Sequence, residues 1–227
     1  TIEISLNAST DFSTLYNLGT RSGTFPVNIS GTTTITVPSL TISGSCTAFD
    51  QSTACSDQGA DAIKVAFNGV LQGQSDGTVD GSWSITGLSI PAADTIITVF
   101  IDGGTADADE AVAVTKYSGA GNIAGVKLYK EHLVIGSDQN NTITTADLAN
   151  YDNEASADED IFYESDTVAF TCDGVASTTG LCVDETAQSS QEELYIDTGD
   201  TFSPASNVSS SAYEVVGTFV PGANTVT

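Results

Sequence analysis

Residues 63–104 read IKVAFNGVLQGQSDGTVDGSWSITGLSIPAADTIITVFIDGG. Apolar and polar residues alternate over short runs, and the runs stop at Asn68-Gly69, Asp76-Gly77, Asp80-Gly81 and Asp102-Gly103. A period of two places successive side chains on opposite faces of a strand, and Asn-Gly or Asp-Gly supplies the positive φ of a tight hairpin. In GSWSITGLSI (81–90), Trp83 and Ile85 share one face while Ser82, Ser84 and Thr86 share the other. That pattern predicts a half-buried strand with Trp83, the single tryptophan, as a core anchor. In TIITVFIDG (95–103), Ile97, Val99 and Ile101 line one face and Ile96 and Phe100 the other. Apolar residues on both faces predict a central strand, or one covered by a partner.

The same punctuation continues in both directions. Further strands are expected at 1–7, 23–30, 33–43, 111–118, 124–136, 160–165, 168–172, 193–199 and 213–220. Only TTADLANYD (144–152) reads as a helical turn, with Thr144 or Thr145 as N-cap and Asp147 in the first turn. No exact internal repeat is present. Many short strands with frequent turn signals predict an all-β fold, an Ig-like or other β-sandwich with acidic loops. Residues 1–100 hold eight Asp and Glu, and 101–227 the other 22. The change suggests two packed β regions, 1–104 and an acidic 105–227; one continuous β domain with an acidic flank is the alternative.

The Gly-x-Trp-x-Ile strand, the Pro-containing loop and the next strand ending in Asp-Gly resemble bacterial Ig-like modules. In those modules the Trp is buried between two sheets. Together with residues 111–164 the likeness covers about residues 60–165, and the modules concerned belong to large, secreted, repetitive surface proteins of candidate-phylum bacteria. The resemblance implies an extracellular structural or adhesive role and no catalytic residue.

Charge narrows the function further. Thirty acidic residues against five basic ones give a net charge of -25. Such a chain cannot neutralise phosphates, so nucleic acid is excluded as a partner, and docking on anionic membranes is disfavoured. No apolar run approaches the roughly 18–20 residues that span a bilayer, so no membrane span is expected. The chain contains no Met; a cleaved secretory signal is the expected origin of the start at Thr1, and a fragment of a longer chain is the alternative. Four cysteines form two close pairs, Cys46 with Cys55 and Cys172 with Cys182. Neither has the spacing of a zinc site, so two local disulfides and an oxidising, extracellular location are expected. Sequons begin at Asn7, Asn28, Asn140 and Asn207 and mark candidate glycosylation sites.

Three constellations bear on chemistry. Asp102, Asp107, Asp109 and Glu110 form one acidic cluster, and Asp158 and Asp160 belong to another. Between them, Asp138, Asn140 and Asp147 faintly resemble a dockerin-type calcium loop that lacks its central Asp-Gly. Calcium takes six to eight oxygen ligands and would relieve carboxylate repulsion, so these nine residues are candidate ligands and calcium a candidate cofactor. A solvated acidic face is the alternative. His132 has no nucleophile motif nearby and reads as structural. Carboxylate pairs of the glycosidase kind lack an aromatic cleft beside them.

Self-association fits better. Ile2, Ile4 and Leu6 share one face of residues 1–8, which makes that segment a candidate donated strand; an ordinary first strand of the chain's own sandwich is the alternative. The expectation is therefore a non-enzymatic extracellular subunit that binds copies of itself and builds a filament, pilus-like fibre or surface layer. A surface adhesin or glycan-binding module is the alternative.

Overall fold

The computed structural model describes residues 38–56, 59, 62–102, 110–152, 161–166, 171–172, 175–176, 180–183 and 192–227. Pro38–Thr227 form one compact unit by contact. Ile2, Ile4, Leu6, Asn7 and Asn28 lie outside the described residues, as do Asp107, Asp109, Asp158 and Asp160.

The first seven strands are β1 (Leu40–Thr47), β2 (Ile63–Phe67), β3 (Val70–Leu71), β4 (Ser82–Leu88), β5 (Ile96–Ile101), β6 (Val112–Lys116) and β7 (Ile123–Tyr129). There follow β8 (His132–Ile135), β9 (Thr142–Ile143), the single turn α1 (Thr145–Leu148), β10 (Tyr163–Asp166), β11 (Thr171–Cys172), β12 (Val175–Ala176) and β13 (Gly180–Val183). The last five are β14 (Glu193–Ile196), β15 (Thr201–Phe202), β16 (Asn207–Ser209), β17 (Ala212–Val215) and β18 (Thr218–Phe219). The fold is all-β, as the alternation predicts.

A seven-stranded mixed sheet, ordered β17-β14-β8-β6-β5-β2-β3, runs through the centre and takes strands from both sides of residue 104. Both its faces are covered. Val65, Val99, Ala113, Val134 and Tyr195 share one core with Ile42, Trp83, Ile85 and Leu128 of the smaller sheet β4-β1-β7. Phe100, Val112, Val114, Leu133 and Leu194 point the other way, into a second core with Ile143, Leu181, Phe202 and Val208. The two-faced reading of residues 95–103 therefore holds: every residue of β5 is buried, with alternate side chains in different cores. Trp83 and Ile85 are buried while Ser82, Ser84 and Thr86 are exposed, as expected of a half-buried strand. Gly44 interrupts β1 because a Cβ there would strike the Val126 carbonyl and lie 2.7 Å from the Trp83 ring.

The second core is enclosed by a coil. β8, β14 and β17 pair in parallel, aligning Leu133, Leu194 and Tyr213, then Ile135, Ile196 and Val215. β9, β15 and β18 do the same, aligning Ile143, Phe202 and Phe219. β13 and β16 form the third side, with Leu181 beside Val208 and Val208 bridged in parallel to Val226. The chain thus winds through three stacked turns, each contributing to three walls: a short parallel β-solenoid sharing one wall with the central sheet.

Two expected strands divide at corners of this coil. Residues 124–136 split at Lys130-Glu131, where Glu131 has φ +59°, and the chain passes from the small sheet (β7) into the central one (β8). Residues 213–220 split into β17 and β18 around Gly217, where any Cβ would collide with the Asp197 carbonyl. The helical turn forms where expected. Thr144 is the N-cap, and its hydroxyl and amide are in a capping box with Asp147.

Candidate functional site

The third turn of the coil is open. Among the described residues, β17 pairs only with β14 and β18 only with β15, so each ends its sheet. Exposure follows. In the column Ile135, Ile196, Val215 the first two are fully buried and the third is 45% exposed. In the column Leu181, Val208, Val226 the values are 2%, 0% and 37%. Val216 and Val220 at the neighbouring corners are 50% and 46% exposed. Phe219 stacks on Phe202 at 5.8 Å, and Tyr213 stacks on Phe219 at 6.2 Å, so an aromatic ladder also ends at this edge. Burial pushes the Tyr213 phenol up to about 12; its hydroxyl donates to the backbone oxygen of Thr227 at 2.6 Å, with the Val208 carbonyl at 3.2 Å.

This edge is also nearly without charge. Residues 201–227 carry only Glu214, in a chain of net charge -25. An apolar, weakly charged parallel strand edge is the usual template for another strand.

An acidic corner holds the three turns together between the first and second walls. Asp200 is fully buried. Its carboxylate accepts the amides of Ser137 at 3.1 Å and Asn141 at 2.8 Å, from the first turn. Its carbonyl accepts the amide of Thr218 in the third. Burial raises its pKa to about 6, against those two amide bonds, with Asp197 and Asp138 adding to the rise. Asp197 accepts Lys127 Nζ at 2.6 Å, and that ammonium stands 5.5 Å from the Tyr195 ring centre.

The sequence-derived metal candidates are dispersed where they are described. Asp102 pairs with Lys64 at 3.7 Å. Glu110 is buried beside β6 and accepts the Glu131 amide through its carbonyl. Asp138 accepts the Ala124 amide, and exposed Asn140 donates weakly to the Asp138 carbonyl at 3.4 Å. Asp147 is committed to its capping box and to Lys116 at 2.8 Å. Among the described residues no group of three or more His, Cys, Asp or Glu is arranged to hold a metal ion.

Cys46 and Cys55 form a disulfide, as the spacing predicts. Cys182 is also disulfide-bonded and fully buried in β13; the side chain of Cys172 lies outside the described part. The loop between Cys46 and Cys55 is braced by its own hydrogen bonds. Asp50 receives the Thr53 hydroxyl and the amides of Thr53 and Ser52, which together hold its carboxyl well below the usual range. Of the two described sequons, Asn140 sits exposed at a turn with φ +50°, while the Asn207 side chain accepts the Thr225 amide at 3.0 Å.

Sequence reasoning missed the open edge, although its signal was present. HLVI…TI, ELYI…TF and AYEV…TF are one degenerate motif with six, four and two residues between the halves. No helix among the described residues is long and apolar enough to cross a membrane. No family model, no curated protein and no solved structure matched the chain in the comparisons made.

Proposed function

We propose that the protein is an extracellular structural subunit that polymerises by strand addition at the open third turn of its coil. The observation that carries this reading is the edge formed by β17, β18 and Val226, with Val215, Val216, Val220 and Val226 exposed. The occupant we assign is residues 1–8 of a second copy. Ile2, Ile4 and Leu6 alternate on one face there, and Glu3 is the segment's only charge. Mutual repulsion at -25 opposes approach between acidic stretches, and residues 1–8 and 201–227 carry one acid each. Three apolar plugs would bury about 300–400 Å², roughly 8–10 kcal/mol before the entropy of association. A head-to-tail contact of this kind does not close on itself and yields fibres. The Cys46–Cys55 disulfide supports an oxidising location. Calcium at the acidic loops stays part of the proposal only as a stabiliser of subunits, read out as a rise in melting temperature that a chelator reverses.

Deletion of residues 1–8 tests the contact. Negative-stain microscopy should show fibres for the full chain and none for the shortened one. Undiminished fibres would exclude the donated strand.

A further inference from the structure

The second turn of the coil reads ELYIDTGDTF (193–202), and near the start of the chain stands EISLNASTDF (3–12). The spacing is the same throughout. Glu3 matches Glu193 and Phe12 matches Phe202, while Ile4 and Leu6 hold the places of Leu194 and Ile196. Four residues separate the two halves of each segment, so the match covers both walls of a turn and the corner between them. Residues 3–12 lie outside the described part, but the edge that would receive them is described. Tyr213 ends the column begun by Leu133 and Leu194, and Val215 the column begun by Ile135 and Ile196. Phe219 ends the column begun by Ile143 and Phe202. Its ring is parallel to that of Phe202, with an interplanar angle of 3°. Phe202 is fully buried, whereas Phe219 and Tyr213 are half-buried. Each column thus stops one layer short of full burial.

We propose that residues 3–12 of a second copy form a complete fourth turn of this coil, 3–6 pairing in parallel along β17 and 11–12 along β18. The inference rests on the polymerisation reading above and extends the donated segment from one wall to two. Ile4 then stacks on Tyr213, Leu6 on Val215 and Phe12 on Phe219. The half-buried ends of the columns become the interior of a four-turn stack, which is how coiled repeats bury a face that one repeat cannot bury alone. Corners of six, four and two residues already lie over one another in the first three turns, so a four-residue corner fits above them. Ser9 stands where Gly199 has φ +88°, so the new corner takes its own path while the two walls keep theirs. Charge selects the register as well as shape. Glu3 falls beside Ala212, Ser5 beside Glu214 and Asp11 beside Thr218, so no two acids are neighbours. Sliding the segment by two residues, with Ile2 on Tyr213 and Ile4 on Val215, keeps the apolar face inward but sets Glu3 against Glu214, and like charges in contact repel.

Cysteine pairs introduced into the full chain read the register, because none of its described cysteines is free. Leu6→Cys with Val215→Cys reports the first wall, and Asp11→Cys with Thr218→Cys the second. Ile4→Cys with Val215→Cys reports the register slid by two. The probe is a bis-methanethiosulfonate linker that spans about 5 Å, the spacing of neighbouring strands. On non-reducing denaturing gels, links between copies give a ladder of multimers; links inside one chain leave a monomer that has gained the linker's mass. Ladders are expected for the first two pairs, formed about tenfold faster than for the third, because only paired residues are held at high effective concentration. A ladder from the first pair without one from the second would overturn the fourth turn and leave the donated strand standing. Faster linking of the third pair than of the first would overturn the register and the proposal with it. Links confined to the monomer would reject a second copy as the donor, and polymerisation with it, while the turn itself stands. No link from any pair would reject both.

Discussion

Asp200 shows how one side chain sets a pH dependence. Its folded-state pKa, about 6, stands above the ordinary carboxylate value because burial disfavours the charge. The folded protein therefore holds this proton more tightly than the unfolded chain does. The resulting stability is complete below about pH 4 and disappears as pH rises through about 6, a loss on the order of 2 kcal/mol. Asp200→Asn cannot titrate. Denaturant unfolding of both proteins should show wild type losing ground to the variant between pH 4 and pH 7, and parallel curves would contradict this. None of this was legible in the sequence, where Asp200 is one of 30 acids. Trp83 and Asp147 were legible, because strand alternation and the spacing from a Thr N-cap are local rules that act before any tertiary contact forms.

At the scale of elements, the Cys46–Cys55 loop is the clearest case. The bridge spans nine positions, fixes the Asp50 turn and presents Phe49 and Gln51 to the coil. Replacing both cysteines by alanine should lower stability by about 2–3 kcal/mol on the chain-entropy account. It should also raise the hydrogen-exchange rate of residues 48–53 well above that of β5, and equal rates would mean that the loop is held by other contacts. The bridge was legible from spacing. The strands at 124–136 and 213–220 were legible as strands but not as two each. Apolar residues flank Lys130-Glu131 and Gly217 on both sides, and nothing local marks which wall a strand joins. Parallel pairing between turns of a coil couples residues 17 to 61 positions apart, so its register is written in the stack and not in any one segment.

For the whole molecule, charge and topology act together. Acidic residues crowd the middle of the chain, while residues 1–37 carry only Glu3, Asp11 and Arg21, and residues 201–227 only Glu214. Repulsion between copies is thus weak where an apolar strand edge is open. The all-β class was plain from the alternation, yet the coil was hidden because its repeat keeps its pattern and changes its spacing. The central claim is that copies join at that edge. Sedimentation velocity of the full chain at neutral pH, beside the double variant Val216→Lys and Val220→Lys, tests it most directly. Two lysines place charge on the edge while leaving the buried columns alone. Fast, broadly distributed species for the wild type and one slow boundary for the variant are the expected result. A single monomeric boundary for both, or equal polymerisation of both, would contradict it.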